Sequence, residues 1–164
     1  MILPDLPLNF LTPLLVLIPL VAVAGWIDFS RLVIPNRLVL LTCVAILTTF
    51  VAAPLPFEEA AMRVLIALLS FAVCCGMFAA GLLGGGDAKF FPVVLLAIPV
   101  AWIGPFLMLY GLSLGITFAI LCACRLTLGS PNAEILSLRP EPEVPLGVPM
   151  ALSSFFLVAL AVAA

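Results

Sequence analysis

The chain of 164 residues contains no histidine. Ser-His and Cys-His nucleophilic catalysis and the H-E-x-x-H zinc arrangement each need an imidazole, so all three are excluded. Charge is also scarce: Lys, Arg, Asp and Glu together make up 9% of the residues, against roughly 25% in a soluble domain. No basic run suited to nucleic acid is present. Gly84-Gly85-Gly86 closes an apolar stretch rather than following a soluble strand, which excludes a phosphate-cradling loop of the P-loop or dinucleotide kind. The five cysteines, Cys43, Cys74, Cys75, Cys122 and Cys124, form no C-x-x-C pair. They read as small packing residues in apolar spans, and no metal or other cofactor is expected. Any enzyme built on this chain must take its acid and base from carboxylates or lysine.

What the chain has in abundance is apolar sequence, 66% of all residues. Five intervals carry no formal charge: residues 6–27, 38–57, 64–86, 90–124 and 144–164. Each reaches the roughly 18–20 residues that cross a hydrocarbon core. The interval 90–124 is too long for one crossing at about 1.5 Å per residue, and Gly104-Pro105 is its expected break. The expectation is an all-α polytopic membrane protein: one domain over residues 1–164, six transmembrane helices, and a polar loop over 125–143. The first segment does not resemble a cleaved signal, because Asp5 precedes it and no Lys or Arg does. Alternation places Arg31, Arg37, Lys89, Arg125 and Arg139 on one side and only Arg63 on the other, so the first side is expected to be cytoplasmic, with both termini outside.

Asp28 and Asp87 fall on that cytoplasmic side. An acid at a membrane helix end is expensive, and a functional role is the default reading. Asp28 follows Gly25-Trp26-Ile27, where a solvated loop charge beside Arg31 is the plainer alternative. Asp87 is more constrained. Residues 90–104 are too short to span unaided, so the fourth helix is expected to start earlier and to carry Asp87 in its first turn, where free N–H groups and the macrodipole favour an anion. Gly84, Gly85 and Gly86 leave that entry open to a substrate backbone or a neighbouring helix. Two carboxylates on one membrane face suit aspartic-protease chemistry, in which one activates water and its protonated partner polarises the scissile carbonyl. The pair holds one proton and titrates in coupled steps.

These motifs resemble the type IV prepilin peptidases, membrane proteases with a Gly-x-Gly-Asp motif. Gly84 to Phe90 contains that motif with Lys89 two residues after the aspartate, and Asp28 to Arg37 is similar to the family stretch in which the other aspartate is followed by Ile34-Pro35-Asn36. Val144 to Pro149 resembles a Pro-aromatic-Gly segment with Leu146 in the aromatic place. The resemblance implies catalytic Asp28 and Asp87, supporting roles for Gly84, Gly85, Gly86, Lys89, Pro35 and Asn36, and cleavage of a prepilin or pseudopilin leader after glycine at the cytoplasmic face of the inner membrane. Larger members carry paired C-x-x-C motifs and a methyltransferase activity. This chain resembles the compact branch of Flp-type, tight-adherence pili, which has neither.

Smaller features have plain readings. Pro35 is expected to open the second helix with Asn36 as its cap, and Lys89 to mark topology, tune Asp87 or contact substrate. Pro92 falls near the start of the fourth helix, and Pro99 is expected to kink it. Gly81-x-x-x-Gly85 and Gly111-x-x-x-Gly115 are expected to pack helices closely. Glu58, Glu59 and Arg63 read as solvated outer charges, and Glu134, Glu141 and Glu143 as loop charges. The rival function is a small proton- or cation-coupled transporter subunit, opposed by the absence of an acid deep in another span. A non-catalytic assembly subunit is a third reading, which would tolerate loss of either aspartate.

Overall fold

The computed structural model describes residues 7–128, 135–139 and 144–163, and every regular element among them is helical. In chain order these are α1 (Leu8–Arg31), α2 (Asn36–Ala52), α3 (Phe57–Ala79), α4 (Gly85–Ala97), α5 (Ile103–Leu128) and α6 (Gly147–Ala163), with 3-10 turns at Val100–Trp102 and Leu136–Leu138. Leu8–Arg31, Phe57–Ala79 and Val100–Thr127 are long and apolar enough to cross a membrane, and Asn36–Ala52 and Gly147–Ala161 are shorter apolar helices. The protein is an all-α, polytopic membrane protein.

The burial pattern follows from helical spacing. Leu14, Leu17, Val21 and Ala24 recur every three or four residues on α1 and are buried, forming the stripe that faces α6 and α2. Residues from all around α4 are buried, among them Phe90, Val94, Leu95, Leu96 and Ala97, which makes this short helix the centre of the bundle. By contrast α2 and α3 leave Leu40, Leu65 and Leu68 outward. Those side chains meet lipid tails as apolar as themselves, so their exposure costs nothing. Several buried hydroxyls are satisfied within their own helices: Thr42, Ser153 and Ser154 each donate to a carbonyl one turn back.

Several boundaries differ from expectation. α4 does begin before Phe90, with Asp87 in its first turn. The break after it lies at Ile98-Pro99, not at Gly104-Pro105. Proline disfavours the helical region for the residue before it, and Ile98 is accordingly extended (ψ 131°); Pro99 therefore ends the helix instead of kinking it. Gly104-Pro105 falls in the first turn of α5, where a missing N–H removes no helical bond. Asn36 does not cap α2: it is the first helical residue, and Pro35 holds the cap position with no side-chain hydrogen bond. Neither glycine pair packs helices together. A Cβ at Gly81, Gly111 or Gly115 would meet nothing within 4 Å, and one at Gly85 would meet only the Phe78 ring of the preceding helix. Gly81 has a different role. At φ +72° it closes α3, with its N–H on Phe78 O and that of Leu82 on Met77 O, the paired bonds of a Schellman turn that favours glycine.

The largest correction concerns Arg63 and Glu59. Arg63 is fully buried. Its Nε donates to Glu59 Oε1 at 2.8 Å, Nη1 to Ala97 O at 3.2 Å and Nη2 to Phe10 O at 3.0 Å. The guanidinium also lies 5.9 and 6.0 Å from the ring centroids of Phe10 and Phe50. Glu59 Oε1 accepts the Val100 N–H as well, at 3.0 Å. The two charges leave water because Pro99 opens backbone groups that hydrocarbon cannot satisfy. Glu58 is exposed, as expected. Glu134, Glu141 and Glu143 lie outside the described residues.

Removing one partner of a buried pair strands the other, typically at about 3–5 kcal/mol. Arg63→Met is therefore expected to lower stability by about that amount, and Glu59→Gln, which keeps an acceptor for Val100, by less. Unfolding in detergent micelles checks both, and a neutral Arg63→Met would contradict the clamp.

Candidate active site

α1 runs four residues past the apolar interval that defines it in the sequence and places Asp28 in its last full turn, not in a loop. Asp28 is only 3% exposed. Its Oδ2 accepts the Gly147 N–H at 2.7 Å, a charge-assisted bond to the first residue of α6. That approach requires small residues. A Cβ on Gly147 would lie 3.0 Å from Asp28 Cβ and 3.1 Å from Oδ2, and one on Gly25 would lie 3.1 Å from Gly147 O. Leu32 follows in the left-handed region (φ 53°), with its N–H on Asp28 O, and turns the chain toward Ile34.

Asp87 enters from the opposite direction as the third residue of α4, behind the turn that Gly81 makes possible. Its Oδ1 is buried and has no hydrogen-bond partner among the described residues. A buried acceptor left open costs about 1–3 kcal/mol, and such groups call for a functional reason. Gly84 makes room for the other oxygen, since a Cβ there would stand 2.8 Å from Asp87 Oδ2. Gly86 makes room for the backbone: its Cβ would meet Ile34 N at 3.1 Å and Ile34 O at 3.3 Å. Ile34 thus lies directly against Gly86.

Both carboxyl groups line one cavity of about 580 Å³, together with Leu32, Gly81, Leu82, Leu83, Gly84, Val144 and Leu146. They lie within electrostatic reach of each other. The structure therefore brings together Asp28, Asp87 and Gly84 on the cavity, with Gly86 packed against Ile34 behind it, while Pro35 is exposed at the start of α2. Gly85 touches Phe78 instead. Lys89 and Asn36 pair with each other, Nζ to Oδ1 at 3.2 Å, and neither lines the cavity.

Sequence reasoning did not single out three contributors. The Gly147 amide holds Asp28, but a backbone donor has no residue-type signature. The only visible trace was the Val144 to Pro149 segment. Tyr110, the one tyrosine, stands on α5 with its ring 5.2 Å from that of Phe91 and its phenol within electrostatic reach of both acids. Ser137 is buried in the 125–143 stretch, which is thus not wholly a solvated loop. Its hydroxyl donates to Phe29 O, and its carbonyl accepts Arg125 Nε at 2.9 Å. This fastens Leu136–Leu138 across the C-terminal ends of α1 and α5, one residue from Asp28.

A family model described as the type IV leader peptidase family matches residues 15–123, about two thirds of the chain, including both aspartates. The chain belongs to that family. No curated protein and no solved structure matched. This leader peptidase therefore carries its two acids inside the matched segment, while the amide that holds Asp28 comes from α6, beyond it.

The glycines separate activity from stability. Gly84→Ala meets only the movable end of Asp87, so it is expected to fold normally and lose most peptidase activity as that carboxyl turns away. Gly86→Ala meets fixed backbone at Ile34 and is expected to cost about 1–3 kcal/mol of stability. Paired cleavage and thermal-unfolding measurements check this; equal stability losses in the two variants would contradict it.

Proposed function

We propose that this leader peptidase is an aspartic endopeptidase that removes the leader from prepilins or pseudopilins at the cytoplasmic face of the inner membrane, with Asp28 and Asp87 as its catalytic pair. The observation that carries the reading is the shared cavity, where a carboxylate anchored by a backbone amide faces another with an unpartnered oxygen. A water between them would lose its proton to one carboxylate and attack the scissile carbonyl, whose oxygen takes the proton of the other. As the tetrahedral intermediate collapses, the first acid gives its proton to the leaving amine and the second carboxylate takes back a hydroxyl proton as the carbonyl re-forms.

Orientation supports the same reading. Arg31, Arg37, Lys89 and Arg125 stand at the helix ends on the aspartate side, and the positive-inside bias supports a cytoplasmic position for that side. Arg63, at the other end, is tied to Glu59 and is not a free outer charge. A prepilin offers a polar basic leader followed by an apolar helix, so its scissile bond arrives at the water boundary where the cavity opens. The lining of Gly81, Gly84, Leu82 and Leu83 suits an extended backbone with a small residue at the cut. The compact, methyltransferase-free branch that serves Flp-type pili is the expected setting.

Asp28→Asn and Asp87→Asn are nearly isosteric. Each is expected to abolish leader removal from a co-expressed prepilin, by at least about 10³-fold on the scale of lost acid-base groups, while the protein stays in the membrane. Full cleavage by either variant would sink the dyad. Proton flux through proteoliposomes, abolished by the same substitutions with cleavage absent throughout, would favour the transporter reading instead.

A further inference from the structure

A second recess lies behind α4. Among the described residues α2 and α3 each pack against α4 but have at most marginal contact with each other. Between them runs a groove of about 550 Å³. Its floor is Lys89, Pro92, Val93 and Leu96, spaced three and four residues apart and so on one face of the helix. Asp87 lies two positions before Lys89, about 200° around an ideal helix, and the groove shares no lining residue with the acid cavity. The walls from α2 and α3 are apolar apart from Asn36, and no acidic side chain lines the groove.

Charge sits at one end only. Lys89 is exposed and uses one N–H on Asn36 Oδ1, leaving two of its three donors for a ligand. An apolar slot with an ammonium at its aqueous end matches a fatty acyl chain below a phosphate. We infer that this groove is a binding site for an anionic phospholipid, with the acyl chain between α2 and α3 and the headgroup phosphate on Lys89. A prepilin does not fit the same place. Its basic leader would be repelled by Lys89, and the acids face the other side of α4. That exclusion rests on the function proposed above. The lipid site itself does not.

One lysine near an anionic surface is worth about fivefold in affinity. The purified protein, equilibrated in micelles with equal phosphatidylglycerol and phosphatidylcholine, is expected to retain the former about fivefold over the latter by native mass spectrometry. Lys89→Gln should abolish the preference, whereas Arg37→Gln, one residue from Asn36 but off the groove, should keep it. Ala67→Phe, which fills the slot from α3, should reduce retention of both lipids, and excess inorganic phosphate should displace neither. Equal retention of the two lipids by the unaltered protein, or an unchanged preference in Lys89→Gln, would overturn the site. So would displacement by inorganic phosphate, which would make it a simple anion site. Asp87→Asn is expected to bind lipid normally, so failure of the peptidase reading and failure of the lipid site are separable.

Discussion

In hydrocarbon every backbone N–H and C=O must find a partner inside the protein, and Pro99 breaks this rule in the middle of the bundle. Ala97 O and Val100 N–H are the groups it opens, and Arg63 and Glu59 close them. The same guanidinium takes Phe10 O from α1. One ion pair therefore ties α1, α3 and the far end of α4 at one depth. α4 has only 13 residues, about 20 Å at the usual rise, so its depth decides where its other end stands. That other end carries Asp87. The level at which this acid meets Asp28 depends on a contact near the opposite face of the membrane.

At the aspartate end the constraints are steric. Asp28 stays in its last helical turn because Gly25 and Gly147 let α1 and α6 close on each other, and the Gly147 amide then takes one carboxylate oxygen. Gly84 offers no side chain that would crowd Asp87 Oδ2, and Oδ1 stays buried without a partner. Gly86 lets the chain after Asp28 pass under α4, which couples the two motif regions through Ile34. The result is an unequal environment for two like groups: one buried and held by a fixed donor, the other half-buried with one oxygen left unpartnered.

The sequence carried the parts of this arrangement that depend on composition. Charge-free runs located the helices, and the shortness of residues 90–104 placed Asp87 inside a first turn. What escaped were relations between segments. A charge bounding an apolar interval looks the same whether it is solvated or, like Arg63, buried by a neighbouring break. Gly104-Pro105 and Ile98-Pro99 are equally good break signals, and tertiary closure by Glu59 and Arg63 favours the second. Asn36 has a capping side chain but sits one position too late to cap, and it pairs with Lys89 from a distant helix. The GxxxG spacings failed because small residues permit close approach without requiring it.

The central claim is that acids 59 positions apart face each other across one cavity in a single chain. Its most direct test is thiol cross-linking in native membranes, with Asp28→Cys and Asp87→Cys combined in a background whose five native cysteines are replaced. A short bifunctional thiol reagent is expected to join the two positions within one chain, and to leave a control pair at positions 28 and 63 unlinked. Failure to join 28 to 87, or linkage solely between separate chains, would contradict the account.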